Sequence, residues 1–153
     1  QWKEISLPSF QSISFEQLEE KRVLQLSPKV DYEILGAQNP LELGLFNSVV
    51  SKKGCYPGQE VIEKTLALGS PAKRLVQIKG KLTSKQVLTI GEELYNLATP
   101  PQVIGKLTSF SCLDKTHYTA LSIVNKLHAK AGLEVKFKSK QNGVISKVSH
   151  YEN

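Results

Sequence analysis

The chain has 153 residues, 40% of them hydrophobic and 22% charged, which suffices for one or two compact units with a real core and excludes a low-complexity or fibrous protein. No run approaches the roughly 20 apolar residues of a membrane helix, and no signal-peptide pattern opens the chain. Two cysteines are too few for a disulfide framework, so a reducing compartment is expected.

No methionine occurs, at the start or elsewhere, and the chain reads as the later part of a longer protein. The net charge of +6 is uneven, −2 over residues 1–70 and +8 over residues 71–153. A basic half fits an acidic partner or a nucleic acid, or simply solvated lysines that keep strand edges apart.

The first seventy residues read as helical. In SFEQLEEKRVLQLSP, Ser14 and Gln17 have the spacing of a capping box. Phe15, Leu18, Arg22, Val23 and Leu26 then share helical spacing, and Pro28 stops the run. In NPLELGLFNSVV, Asn39, Pro40 and Glu42 predict a second helix with its own box, and Leu41, Leu45, Phe46 and Val49 its buried face. A third helix is expected from about Gly58 through Ile62 and Leu66 to Gly69-Ser70-Pro71.

KKGCYPGQE, residues 52–60, leads into that third helix. A thiol at Cys55 stands just upstream of free backbone N–H groups and the positive end of a helix dipole, which favour a thiolate. Lys52 or Lys53 adds to this if its side chain turns inward. Gly54 and Gly58 permit unusual backbone geometry, and Gln59 and Glu60 fall in the first turn. The competing reading makes Cys55 a small apolar residue in a tight turn.

From Lys73 the period changes to two. KRLVQIKGKL places Leu75, Gln77 and Lys79 on one face and Val76, Ile78 and Gly80 on the other. Further strands are expected at Val87–Ile90, Glu93–Leu97, Gln102–Ser109, Tyr118–Val124, Leu133–Lys138 and Val144–Val148. Turns are expected at Thr89–Gly91, Thr99–Pro101, Ala131-Gly132 and Asn142-Gly143, with a helical turn near Asn125–Lys130. Short strands at this spacing suggest a small barrel or sandwich. His117, His128 and His150 lack partners at metal-ligand spacing, Ser109 and Ser111 form no nucleophile elbow, and Cys112 reads as structural.

KKGCYPGQE resembles the K-G-C-Y-x-G-Q-E signature of the YgfZ-type folate-binding proteins, relatives of the glycine cleavage T-protein (GcvT, aminomethyltransferase). Lys53, Gly54, Cys55, Tyr56, Gly58, Gln59 and Glu60 match it. Pro40, Glu42, Gly44 and Leu45 resemble the P-x-E-x-G-L segment, and Arg22 and Pro28 the R-I-x-x-G-x-P segment. Gly105, Thr108 and Ser109 resemble the V-G-x-V-T-S strand of the T-protein's C-terminal barrel. Leu26 stands where the pattern has glycine, so the turn there should differ, and Leu18 stands where YgfZ-type members carry an aromatic.

The resemblance implies an α+β fold: the helical remainder of a folate-binding domain over residues 1–70, then a small antiparallel β-barrel over 71–153. It implies a tetrahydrofolate-binding protein acting in iron–sulfur protein assembly or repair, with most of the folate site upstream of this chain. Cys55 is its reactive thiol, supported by Lys53, Tyr56, Gln59 and Glu60. Arg22, Glu42, Gly54 and Gly58 are its cofactor-binding candidates, though Arg22 could equally pair with Glu19 or Glu20. No metal ligands are assigned, since one cysteine cannot hold a cluster that usually takes four. Alternatives are a T-protein-type aminomethyltransferase, which the cysteine signature argues against, and a tRNA-modification-linked factor docking through the basic barrel. The implied partners are folate, iron–sulfur client or assembly proteins and weakly held tRNA, for a monomer off the membrane in a bacterial cytoplasm or an organelle matrix.

Overall fold

The computed structural model describes residues 12–36, 38–50, 54–82, 88–112, 114 and 116–149. Lys52, Lys53, Val87 and His150 lie outside the described residues. Helix α1 spans Phe15–Leu24, 3₁₀ turns follow at Pro40–Leu43 and Phe46–Ser48, and α2 spans Gln59–Ala67. Six strands come next: β1 (Lys73–Lys81), β2 (Glu93–Tyr95), β3 (Val103–Cys112), β4 (His117–Asn125), β5 (Glu134–Phe137) and β6 (Asn142–Val148). They close an antiparallel barrel in the order β1-β4-β3-β2-β5-β6, so the expected α+β architecture with a small barrel is met.

The capping box forms as the spacing predicts. Ser14 Oγ accepts from the Gln17 N–H at 3.2 Å and Gln17 Oε1 from the Ser14 N–H at 2.8 Å. The other end of α1 closes in a regular C-cap. The Leu26 N–H bonds Val23 O at 3.2 Å and the Ser27 N–H bonds Arg22 O at 3.1 Å, the two bonds of a Schellman motif. Leu26 holds φ 60°, the left-handed conformation that glycine adopts most readily, so the leucine carries strain there.

The expected second helix is two separate 3₁₀ turns. Gly44 takes φ 77° between them, and Leu45 (φ −86°, ψ 44°) does not resume a helix. A side chain at residue 44 would also meet Ser149, whose Cβ lies 2.8 Å from where it would sit. Asn39 caps the first turn through the Leu41 N–H at 3.0 Å, not through a reciprocal box with Glu42.

Inside the barrel pack Val76, Ile78, Leu94, Ile104, Leu107, Tyr118, Val124, Val135, Phe137 and Ile145. The alternation expected for β1 is broken at Leu75–Ile78, where four consecutive residues are buried. Val76 and Ile78 belong to the barrel interior, while Leu75 packs outside with Val23 of α1 and Leu121 of β4. Gln77 is covered as well. Its Nε2 donates to Val23 O at 2.8 Å and Leu24 O at 2.9 Å, satisfying carbonyls at the open end of α1, and its Oε1 accepts from Ser146 at 2.9 Å.

Two barrel expectations shift. Leu88–Ile90 is not a strand: Leu88 packs into the core and the chain turns at Gly91. Asn142 and Gly143 belong to β6, and the turn falls before them with Lys140 at φ 67°. The turn expected near Asn125–Lys130 is present, with the His128 N–H bonding Asn125 O at 2.9 Å.

Candidate functional site

The Cys55 turn is built around Gly58. At φ 86° this glycine is the N-cap of α2 and supplies the carbonyl for the Val61 N–H at 3.2 Å, while Tyr56 O accepts from the Gln59 N–H at 3.2 Å. Cys55 is a free, exposed thiol upstream of this cap. Tyr56 and Gln59 are half-buried, and Gly54 and Glu60 are exposed. Glu60 falls in the first turn, at the end of the helix dipole that stabilises an acid.

The helix behind the turn is anchored. Ile62 is buried, and Thr65 Oγ1 accepts a 2.8 Å hydrogen bond from Asn39 Nδ2 while donating to Val61 O. Asn39 thus does two jobs, capping the 3₁₀ turn that carries Glu42 with its oxygen and holding α2 with its nitrogen. Two sequence-predicted segments, those of Glu42 and of Cys55, are joined by this bond.

Arg22 belongs to a different cluster. Its Nε donates to Glu19 Oε2 at 2.9 Å, and its Nη1 to Ser27 O at 2.8 Å and to Glu33 Oε2 at 3.2 Å. Of the two acids on its own helix it pairs with Glu19, and Glu33 from the following loop is its second carboxylate. Lys29 pairs with the other Glu19 oxygen at 2.8 Å and lies over the ring of Tyr32. Burial pushes the Glu19 pKa up, but the hydrogen bonds and charges of Lys29 and Arg22 outweigh it and hold the carboxyl below its ordinary value.

Glu33, which the sequence did not single out, is the centre of this cluster and is fully buried. Besides Arg22 it accepts from the Lys29 N–H at 3.0 Å and from Ser109 Oγ at 2.6 Å. Lys29 O in turn accepts the N–H groups of Tyr32, Glu33 and Ile34, a tight loop that aims the carboxylate inward. Arg22 and Ser109, both carried by the family resemblance, therefore meet through one buried acid that locks the helical half onto β3. The sequence signal was an arginine in need of a partner and two acids, Asp31 and Glu33, in the loop beyond Pro28.

At the tip of the β3–β4 hairpin, Asp114 lies 3.0 Å from His117 Nδ1 and takes hydrogen bonds from Thr116 and His117 that hold its pKa far below the usual range. The thiol of Cys112, exposed at the end of β3, is pushed up by burial of its sulfur and by the charge of Asp114. Among the described residues no three His, Cys, Asp or Glu side chains converge as metal ligands, and no helix is long and apolar enough to cross a membrane. Lysines 73, 79, 81, 106, 126, 130, 136, 138, 140 and 147 are exposed around the barrel.

No family model matches the chain. It is 29% identical over 140 residues to the Arabidopsis thaliana protein At1g60990, which carries the name of a chloroplastic transferase. That match covers 91% of this chain and 30% of the Arabidopsis protein. Among solved structures, the glycine cleavage system aminomethyltransferase T from Bartonella henselae shares the fold, with a TM-score of 0.57 and 18% identity. It covers 72% of this chain and 31% of that one. The chain thus spans about a third of the length of either relative.

Proposed function

We propose that this chain supplies the cysteine-bearing turn and the barrel of a tetrahydrofolate-binding, YgfZ-type protein that serves iron–sulfur protein assembly or repair, with Cys55 as its working thiol. The observation that carries the reading is the exposed Cys55 at the entrance of an anchored helix, inside a motif of matching signature. A soft thiolate suits transient contact with iron or sulfur, and a cluster would need ligands from a partner.

For tetrahydrofolate, Arg22 does not fit as the carboxylate clamp. Its guanidinium already serves Glu19, Glu33 and Ser27, so an incoming carboxylate would have to displace two resident ones. In this reading Arg22 is a framework residue, and Glu42, Gly54 and Gly58 are the remaining candidates for the folate side.

The test replaces Cys55 and Cys112 singly by serine in the source organism and reads the activity of its iron–sulfur enzymes. The reading expects loss with Cys55→Ser and normal activity with Cys112→Ser. Normal activity in both removes it.

A second reading, a folate-dependent aminomethyl transfer, is favoured by the fold shared with the Bartonella aminomethyltransferase. Formation of a one-carbon folate product from an aminomethyl donor by the full-length protein supports it, and its absence leaves the assembly role.

A further inference from the structure

Asn39 caps one element and reaches across to another. Its Oδ1 accepts from the Leu41 N–H at 3.0 Å and so caps the 3₁₀ turn Pro40–Leu43, which packs against β1 and buries Leu41 and Leu43. Its Nδ2 donates to Thr65 Oγ1 at 2.8 Å, and that hydroxyl donates to Val61 O at 2.8 Å. The Val61 N–H in turn bonds Gly58 O at 3.2 Å. One hydrogen-bonded path therefore runs from the turn that bears Glu42, held on the barrel, to the cap of α2, the glycine three residues after Cys55.

We infer that Asn39 and Thr65 are positioning residues for the Cys55 turn: their bond fixes how α2 is rotated against the turn of Glu42, and with it where the thiol stands. The inference rests on the reading of Cys55 as the working thiol. Three features support it. The buried Ile62 holds α2 down, but an apolar contact has no direction, whereas a hydrogen bond weakens steeply away from its preferred angle. The polar bond is thus the contact that sets rotation, and both its residues are half-buried, where water competes less. Thr65 adds nothing to helix propensity, and a hydroxyl turned back to the carbonyl four residues earlier slightly weakens a helix. Its worth here is the bond to Asn39. A thiolate, finally, gains from a helix end only within about one turn of it, so a first turn that swings or frays forfeits that gain.

The test measures alkylation of Cys55 by mass spectrometry in the native full chain, relative to an unstructured cysteine peptide at the same pH, in the parent and three variants. Thr65→Val removes the hydroxyl while keeping shape and helix propensity. Asn39→Ser keeps a capping oxygen but is too short to reach Thr65. Thr65→Ser keeps the hydroxyl. Thr65→Val and Asn39→Ser should each bring the Cys55 rate down to within about twofold of the peptide, while Thr65→Ser keeps the parent rate. An unmoved Cys112 rate in every variant shows that the barrel stays folded. Amide exchange at Val61 and Ile62, whose N–H groups bond Gly58 O, should quicken about fivefold in Thr65→Val, the scale of one ordinary hydrogen bond. A parent Cys55 no faster than the peptide removes the reading of Cys55 and this inference with it. A parent faster than the peptide, with the Cys55 rate unchanged in both Thr65→Val and Asn39→Ser or lost equally in Thr65→Ser, overturns the inference and leaves that reading standing.

Discussion

Removing the carboxylate of Glu33 should loosen the helical half from the barrel. The side chain is fully buried and its two oxygens take three hydrogen bonds, from Ser109 Oγ, the Lys29 N–H and Arg22 Nη1. Breaking a buried ion pair by deleting one partner costs about 3–5 kcal/mol, because the other charge is left without compensation. Arg22 keeps Glu19 and Ser27 O, so the lower part of that range applies, and Glu33→Ala should cost about 3 kcal/mol. Glu33→Gln keeps the volume and one acceptor oxygen, and should cost about 2 kcal/mol as the charge-assisted bonds weaken. For a chain whose total stability is of the order of 5–15 kcal/mol this is a large share. Urea unfolding followed by far-ultraviolet circular dichroism reads it out. With a slope of about 1–3 kcal/mol per molar urea, Glu33→Ala should lower the midpoint by about 1–3 M. A double-mutant cycle with Ser109→Ala should show coupling of about 1 kcal/mol or more. A midpoint unchanged in Glu33→Ala, or strict additivity in the cycle, would refute the claim that this acid is the lock.

Three further outcomes follow from the same contacts. Gln77 is needed as a donor, so Gln77→Glu should open the last turn of α1 to hydrogen exchange at least as much as Gln77→Ala, and tolerance of the glutamate would contradict the capping role. Leu26→Gly relieves a left-handed strain of about 1 kcal/mol while losing side-chain packing, so it should be more stable than Leu26→Ala, which loses packing without relief; the reverse order in urea unfolding would refute this. The thiolate of Cys112 is disfavoured by burial and by the negative charge of Asp114, so its alkylation should set in at higher pH than for an ordinary thiol. Asp114→Asn should move that onset down, and a profile unmoved or moved up would show that the charge does not act on the sulfur.

What could be read from the sequence tracks how local the deciding interactions are. The capping box of α1, the glycine entry to α2 and most barrel strands rest on residues within a few positions of one another, and they stand where spacing puts them. The second helix failed because Gly44 bends to a left-handed φ where the chain closes against Ser149, a contact more than a hundred residues away. The alternation of β1 failed at Leu75 and Gln77 because α1 covers the outer face, and a period of two cannot announce a neighbour on both sides. Leu26 sits at a left-handed φ that its residue type does not announce, so the Schellman turn it closes was not legible from the sequence. Glu33 was invisible because its partners are non-local: the Ser109 bond spans 76 positions. Cys55 was visible through its motif and its place before a helix, not through any side-chain partner.

The central claim, that Cys55 is presented as the working thiol, is met most directly by comparing alkylation of the two cysteines in the native full chain at pH 7, read by mass spectrometry. Both are exposed, but burial of its sulfur and the charge of Asp114 hold back the Cys112 thiolate, so an unstructured cysteine peptide at the same pH is the reference for both. The account predicts that Cys55 is modified several times faster than that peptide, and Cys112 more slowly, while the chain stays folded. A Cys55 that reacts no faster than the peptide, or only after denaturation, would make the turn a structural element and contradict the account.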